Sequence, residues 1–529
     1  RMCYGVFRGP AFTRRGLFFL LLFIVAVFVS AADMPAGPTG TYKDYEGRVV
    51  EFTLSNGLKV IVLHRDHAPV FTFQIKADVG GVDETVGQTG LAHLFEHMAF
   101  KGSCAIGTTD CQKEKKALEV MEATYTQYRA YLLKQNAGMP LSDADKTQMD
   151  ALWKKFKEQE ADAQLNVVQN EFGQYISEAG GTGLNASTGD DSTQYFYSLP
   201  ANKLELWGWL ESERFSDPVL REFYKERDVV MEERRLRTES TPFGRLILEY
   251  YGAAFLAHPY GRPVIGWRSD VTTLTITQAQ EFFNKYYGAR NLVCVVVGDI
   301  DPMDVKRVAE KYLSRIPSGE DPAPVSTVEP PQNGERRVTL EDVGQPLLYI
   351  GWHTPQIDHP DTQPLEALAT MLGGGRTSRL YKRLVKRDRI ATTAFASNGA
   401  QKYPGLFEIS ATPVRGKTAE DVEPVIYDEI NKLLTTDPPT EDELKKYKTG
   451  AQAGFIRGLN SDAGMASQLA YYQFYLGSWR EMFREPDRID GVTLDDVKRV
   501  AAHYLTKKSR TVGLIKTVQP AGSTGGKPQ

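Results

Sequence analysis

Apolar positions near the start of the chain follow a short period. Arg48 to Leu54, Leu58 to His64 and Val70 to Val79 are rich in β-branched and aromatic residues, and Asn56-Gly57 separates the first two runs. This predicts three strands, the first pair joined by a tight hairpin. The period lengthens near Gly90, which predicts a helix carrying His93 and His97. Over residues 112–163 the period stays helical: Leu118, Met121, Tyr125, Tyr128 and Leu132 form one stripe, and Met149, Leu152, Trp153 and Phe156 a second. Gly138 and Pro140 interrupt it, and Ser142 with Asp145 has the spacing of a capping box. A helical hairpin insertion is expected there, serving as structural padding or as a gate or partner contact.

Further on, residues 316–335 hold five prolines and two glycines, a linker composition. The segments Thr275 to Val297 and Thr493 to Ile515 align without gaps, each a Thr, an amphipathic helix ending in Tyr286 or Tyr504, and an apolar strand. The likeness of Asp304–Ala309 to Asp496–Ala501 lacks a matching downstream strand and reads as two similar helices. The chain is therefore expected to be α+β, with two related domains at 46–315 and 336–517 joined by the Pro-rich linker. Residues 33–45 read as a flexible lead-in and 518–529 as a disordered tail.

Composition narrows the class. With 41% apolar and 25% charged residues and a net charge of −4, the 529-residue chain reads as globular, with no nucleic-acid footprint. Arg1, Arg8, Arg14 and Arg15 precede the apolar run Leu17 to Val29, and Ser30-Ala31-Ala32 follow it. That order is expected of a secretory signal over 1–32, cleaved rather than retained as an anchor, with no membrane span in the mature protein. The expected location is exported, periplasmic first and extracellular second. Cys294 sits in an apolar strand and reads as a small buried hydrophobe. Cys104 and Cys111 flank a short Gly-containing loop, and in an exported protein a disulfide between them is expected.

His93-Leu94-Phe95-Glu96-His97 carries the chemistry. Residues i and i+4 of a helix share a face, so both imidazoles can reach one ion. Glu96 lies beside them, placed to take a proton from a water rather than to bind the metal, and zinc suits such a ligand set. His-x-x-Glu-His is the inverzincin signature. Flanking Leu91, Leu94, Phe95 and Met98 imply a buried helix, where two unpaired histidines would be costly.

The stretch Gly90 to Ser103 resembles the active-site helix of the pitrilysin/insulinase family of zinc peptidases. Similar landmarks follow in order: Asn185-Ala186-Ser187-Thr188, Glu211 to Phe215, Glu226 to Glu233, His258 to Gly261 and Gly373 to Leu380. The resemblance runs from Val50 to Ile515. It implies that each domain is a mostly antiparallel sheet covered by helices. It also implies one Zn2+ per chain held by His93, His97 and Glu233, with Glu96 as catalytic base and Glu226 orienting the site. Glu226 and Glu233, seven apart, share a helix face, whereas Glu232 points about 100° away. Glu232, Arg234, Arg235 and Arg237 then read as a solvated face. The interval from His97 to Glu233 exceeds the family's spacing, and the 112–163 insertion accounts for the excess. Asn185 and Ala186 match the strand on which an extended peptide adds by main-chain hydrogen bonds; Asn185 could instead serve a turn after Gly183.

The family's substrate-contacting Arg and Tyr fall here on Val385 and Thr392. Arg383, Arg387 and Arg389 lie near the Arg position, but no Tyr occurs between Lys382 and Lys402. The resemblance therefore implies a zinc endopeptidase for unfolded peptides that takes the missing pair from a partner. A related subunit lacking the zinc site is the first expectation and a homodimer the second. The alternative is a non-catalytic peptide-binding or assembly subunit. Metal storage leaves Glu96 without a purpose.

Overall fold

The computed structural model describes residues 42–518. The export signal expected over 1–32 and the expected tail beyond Val518 lie outside the described residues. Two sheets organise the chain. The first holds β1 (Val49–Thr53), β2 (Lys59–His64), β3 (Val70–Ala77), β4 (Thr182–Thr188), β5 (Thr193–Pro200) and β6 (Leu292–Gly298) in the order β1-β2-β6-β3-β5-β4. The second holds β7 (Arg336–Asp342), β8 (Leu347–His353), β9 (Ala391–Gly399), β10 (Leu406–Pro413) and β11 (Arg510–Thr517) in the order β7-β11-β8-β10-β9.

Without β1, the two orders superpose strand for strand: β2 with β7, β6 with β11, β3 with β8. The parallel pairs correspond too, β2 with β6 and β7 with β11, all other pairings being antiparallel. The register read from Thr275–Val297 and Thr493–Ile515 is thus structural. Each segment is a capped helix, Ile276–Tyr286 or Leu494–Tyr504, leading into the strand inserted second in its sheet. Thr275 and Thr493 both form reciprocal capping boxes three residues in. Residues 316–335 carry no helix or strand and separate the lobes. The hairpin at Asn56-Gly57 closes with Gly57 at φ 95°, and the Asn56 Oδ1 accepts from the Leu58 N–H at 3.2 Å.

Each lobe has its own main core, and two smaller clusters join the lobes. The helix Pro242–Ala254, from the first lobe, packs on β7 and β11 of the second; its counterpart Asp462–Leu476 packs on β3 and β6 of the first. Met465, Leu469 and Ala470 bury against Ile61, Leu63, Val295 and Val297, the back face of the first sheet. Tyr42–Arg48 departs from the expected flexible lead-in: it is a 3-10 segment with the Tyr42 ring 5.5 Å from that of Phe455. No helix among the described residues is long and apolar enough to cross a membrane.

Residues 111–163 form helices Cys111–Asn136 and Asp143–Ala163. Leu118, Met121, Tyr125 and Phe156 belong to the main core of the first lobe. The hairpin braces the helix Phe223–Arg234: the Tyr125 ring packs tilted and the Phe156 ring edge-on against Tyr224, centroids 4.3 and 5.0 Å away. Just before that helix, Arg221 forms a fully buried ion pair with Glu114 at 2.8 Å.

Candidate metal centre

The helix Leu91–Met98 is short, and its ends are fixed by long-range partners. Gly90 precedes it at φ 91°, a conformation that favours glycine, and a β-carbon there would lie 2.9 Å from the Ile265 carbonyl. The Glu84 carboxylate accepts from the Gly90 and Ala92 N–H groups, both at 2.8 Å, satisfying two donors of the first turn. At the other end the Arg214 guanidinium donates to the Ala99 carbonyl at 3.1 Å while paired with buried Glu211 at 2.9 Å. Arg214 also lies over the Phe100 and Phe172 rings, 4.7 and 4.4 Å from their centroids. The motif Glu211 to Phe215 is thus the clamp behind this helix.

From this frame His93 and His97 project one turn apart, ring centroids 5.1 Å from each other. The Glu233 Oε2 lies 3.8 Å from His93 Nε2 and 3.7 Å from His97 Nε2. Ligand atoms of these three residues all fall within 4.8 Å of one another, the spacing that one small cation bridges. His97 Nδ1 lies 3.3 Å from Glu226 Oε2, which assigns the Nδ1 proton to that contact and leaves Nε2 facing Glu233. Two imidazoles and one carboxylate around an open position fit zinc.

Electrostatics separate the groups. Burial lowers His93 to about 4, against the Glu233 carboxylate, so it is neutral and ligand-ready at neutral pH. Burial would raise Glu226, but hydrogen bonds from His97 and Lys101 outweigh it and bring it down to about 2. Lys101 Nζ donates to Glu226 at 2.6 Å and to Glu222 at 2.8 Å. Glu96 stays outside the triad. Its Oε2 accepts from the Thr188 hydroxyl at 2.6 Å, and burial pushes its pKa up, towards the range of a useful base.

The centre opens into a cleft of about 750 Å³ lined by β4 residues Asn185 to Thr188 and by Glu222, Glu226, Glu233 and Arg237. β4 is the outermost strand of its sheet, with Asn185 exposed and Ala186 buried. Cys104 and Cys111 are bonded, Cα atoms 5.2 Å apart, beside the start of the hairpin. Cys294 is free and buried.

The charged face read at Glu232 to Arg237 divides. Glu232 and Arg235 pair on the surface, but Arg234 is buried and donates to the Gly266 carbonyl at 2.5 Å. Arg237 pairs with Glu233 at 2.5 Å at the cleft wall. Thr188 and Arg237 thus act on the centre, and the sequence signal for Arg237 was its i+4 spacing from Glu233. Every residue lining the cleft lies between His93 and Arg237, none in the second lobe. Arg383 and Arg387 are held by Asp388, and Arg383 also by Asp428.

Residues 59–134 match the family model described as insulinase (peptidase family M16), and residues 273–451 match the one described as peptidase M16 inactive domain. The zinc protease PqqE of Helicobacter pylori is 26% identical over 477 residues, 88% of this chain and 92% of that protein. An uncharacterized zinc protease of Mycobacterium tuberculosis is 28% identical over 465 residues, 86% and 90% of the two chains. The mitochondrial-processing peptidase subunit beta of Lentinula edodes is 23% identical, covering 86% and 87%. Among solved structures, a protease from Helicobacter pylori superposes with a TM-score of 0.72 at 26% identity, over 88% of this chain and 99% of that one.

Proposed function

This chain belongs to the M16 (insulinase, or pitrilysin) peptidase family, and from that premise we propose that it is a zinc-dependent endopeptidase acting on unfolded peptides. The observation that carries the reading is the convergence of His93, His97 and Glu233 ligand atoms within 4.8 Å, with Glu96, on the histidine helix, outside the ligand set and held by Thr188. His93, His97 and Glu233 would hold one zinc ion, which supplies Lewis acidity toward the scissile carbonyl and the attacking water. Glu96 takes the proton from that water, Thr188 holding one carboxylate oxygen so that the other meets it. Glu96 then delivers the proton to the departing amine. The exposed edge of β4 at Asn185 and Ala186 receives the substrate as an added strand, so main-chain hydrogen bonds rather than a side-chain pocket give affinity.

Removing the base alone tests this. Glu96→Gln keeps the three ligands, so zinc content by elemental analysis stays near one per chain while peptide cleavage falls by about 10²-fold or more. Unchanged cleavage would sink the peptidase mechanism.

A partner completes the site in this reading. The cleft's lining is confined to the first lobe, and the resemblance puts the family's Arg and Tyr positions on Val385 and Thr392. We expect a related subunit without the zinc ligands, and a second copy of this chain as the other choice. Full activity from the lone monomer would refute the requirement. The chain is proposed to act in an exported compartment, the periplasm before the extracellular space, on the strength of the arginine, apolar and small-residue order within 1–32. The second reading, a non-catalytic peptide-binding subunit, draws on the inactive-domain description matched by residues 273–451. It predicts that Glu96→Gln changes nothing.

A further inference from the structure

The duplication of the fold places a second cleft where the first lobe has its metal centre. Helix Leu91–Met98 lies between β3 and β4 in sequence and packs on β4 and on Phe223–Arg234. Its counterpart Thr362–Gly373 lies between β8 and β9 and packs on β9 and on Glu441–Gly458. Between these elements opens a cleft of about 1160 Å³, larger than the one at the metal centre. The helix Thr362–Gly373 has no histidine and carries Glu366 into the cleft. Asn398, on β9, stands there in the manner of Thr188 on β4.

The polar groups of this cleft are unequally served. Glu485 is satisfied: Gln363 Nε2 donates to it at 2.6 Å and Arg488 Nε at 3.1 Å. Tyr447 donates to Gln363 at 2.6 Å. Among the described residues no cation pairs with Glu366, and burial pushes its carboxyl up to about 7. The neighbouring Asn398 amide lies against that carboxyl and partly offsets the rise, while its Nδ2 and Oδ1 atoms are buried with no other partner. Five carboxylates and two guanidinia line the cleft, and both guanidinia are already paired. Tyr447, Tyr471 and Tyr472 line the same wall. A half-buried carboxyl without a counter-charge, an amide with no partner but that carboxyl, and tyrosine side chains in the same wall are together complementary to an organic cation.

We propose that this cleft is a binding site for a guanidinium or primary ammonium group, taken by the Glu366 carboxylate and the Asn398 carbonyl oxygen between the tyrosine rings. The chemistry does not depend on the metal centre, since the two clefts share no lining residue. The cation can come from a basic side chain of a peptide or from a free small amine or guanidine.

Titration calorimetry on the full chain tests it, with three probes: agmatine, an N-acetylated peptide containing one arginine, and the same peptide with citrulline, which keeps the shape without the charge. Binding of agmatine and the arginine peptide, with citrulline at background, supports the proposal with a free cation as a sufficient ligand. Binding of the arginine peptide alone supports it with a peptide-borne cation. Glu366→Gln is expected to weaken the binding by about tenfold or more. Glu233→Ala, at the metal centre, is expected to leave it unchanged, which keeps failure here distinct from failure of the peptidase reading. A thermal melt of Glu366→Gln shows that the variant folds, and Asn398→Ala supplies a second variant that leaves the carboxylate in place. Equal binding of arginine and citrulline peptides, no binding of any probe, or an unchanged affinity in both cleft variants would overturn it.

Discussion

Glu226 and Glu233 share one helix face and differ in duty. Glu233 shares a locus with both imidazole Nε2 atoms, whereas Glu226 reaches the far nitrogen of His97 and is itself held by Lys101. Replacing Glu226 by Gln keeps the shape and removes the charge that fixes the His97 tautomer. Zinc affinity is expected to fall by about 10–100-fold, read by competition with a chromophoric chelator, and cleavage to recover at saturating zinc. The same substitution has a pH signature. A carboxyl lowered to about 2 contributes stability that is present above its ordinary value near 4.5 and lost as pH falls through about 2. The metal-free Glu226→Gln protein should therefore lose less stability between pH 5 and 2 than the parent, in denaturant titrations at each pH. The motif His93-x-x-Glu96-His97 was legible because its spacing is local. Thr188 acting on Glu96, and the burial of Arg234 within an apparently solvated charge run, were not. Both depend on which distant segment lies opposite, β4 in one case and Gly266 in the other.

At the level of elements, the hairpin Cys111–Ala163 shows how a legible helix pair can have an illegible purpose. Its stripe of Leu118, Met121 and Tyr125 follows from helical period alone, but period does not name the surface it meets. That surface is the helix supplying Glu226 and Glu233, gripped through Tyr224, Arg227 and Arg221. Arg221 also donates to the carbonyls of Ser103, at 2.7 Å, and Ile106, at 2.6 Å, tying the loop after the histidine helix to the start of the carboxylate helix. Glu114→Ala would leave this guanidinium buried without its counter-charge, a loss of about 3–5 kcal/mol. The expected outcome is a lowered Tm together with weakened zinc binding; an unchanged zinc affinity in the folded variant would reduce the hairpin to padding. The Cys104–Cys111 bond closes a seven-residue separation at the base of the same hairpin. By chain entropy such a loop contributes about 2–3 kcal/mol, so Cys111→Ser should lower Tm without removing a metal ligand.

The whole molecule is held by exchange between its halves, which the linker composition at 316–335 does not foretell. Each lobe lends a helix to the other, and Leu469, on the lent helix Asp462–Leu476, is fully buried against the first sheet. Leu469→Ala is expected to destabilise the chain by about 2–5 kcal/mol, although it lies in the lobe that carries no metal ligand. The loop between β9 and β10 makes the other junction: Gln401 donates to Asp190 at 3.1 Å, the Lys402 N–H to Asp191 at 3.0 Å, and Lys402 Nζ pairs with Asp78 at 2.5 Å. Burial, reinforced by the Asp191 carboxylate, pushes Asp190 up to about 7. A carboxyl raised in the folded state contributes stability that is full below its ordinary value near 3.8 and is lost as pH rises through about 7. Asp190→Asn keeps an oxygen acceptor for Gln401 and removes the proton that must be lost. The parent's Tm should fall between pH 5 and 8 more steeply than the variant's, with the two curves converging at low pH. A variant less stable than the parent at pH 8 would mean that the charge on Asp190 holds the lobes together rather than straining their junction.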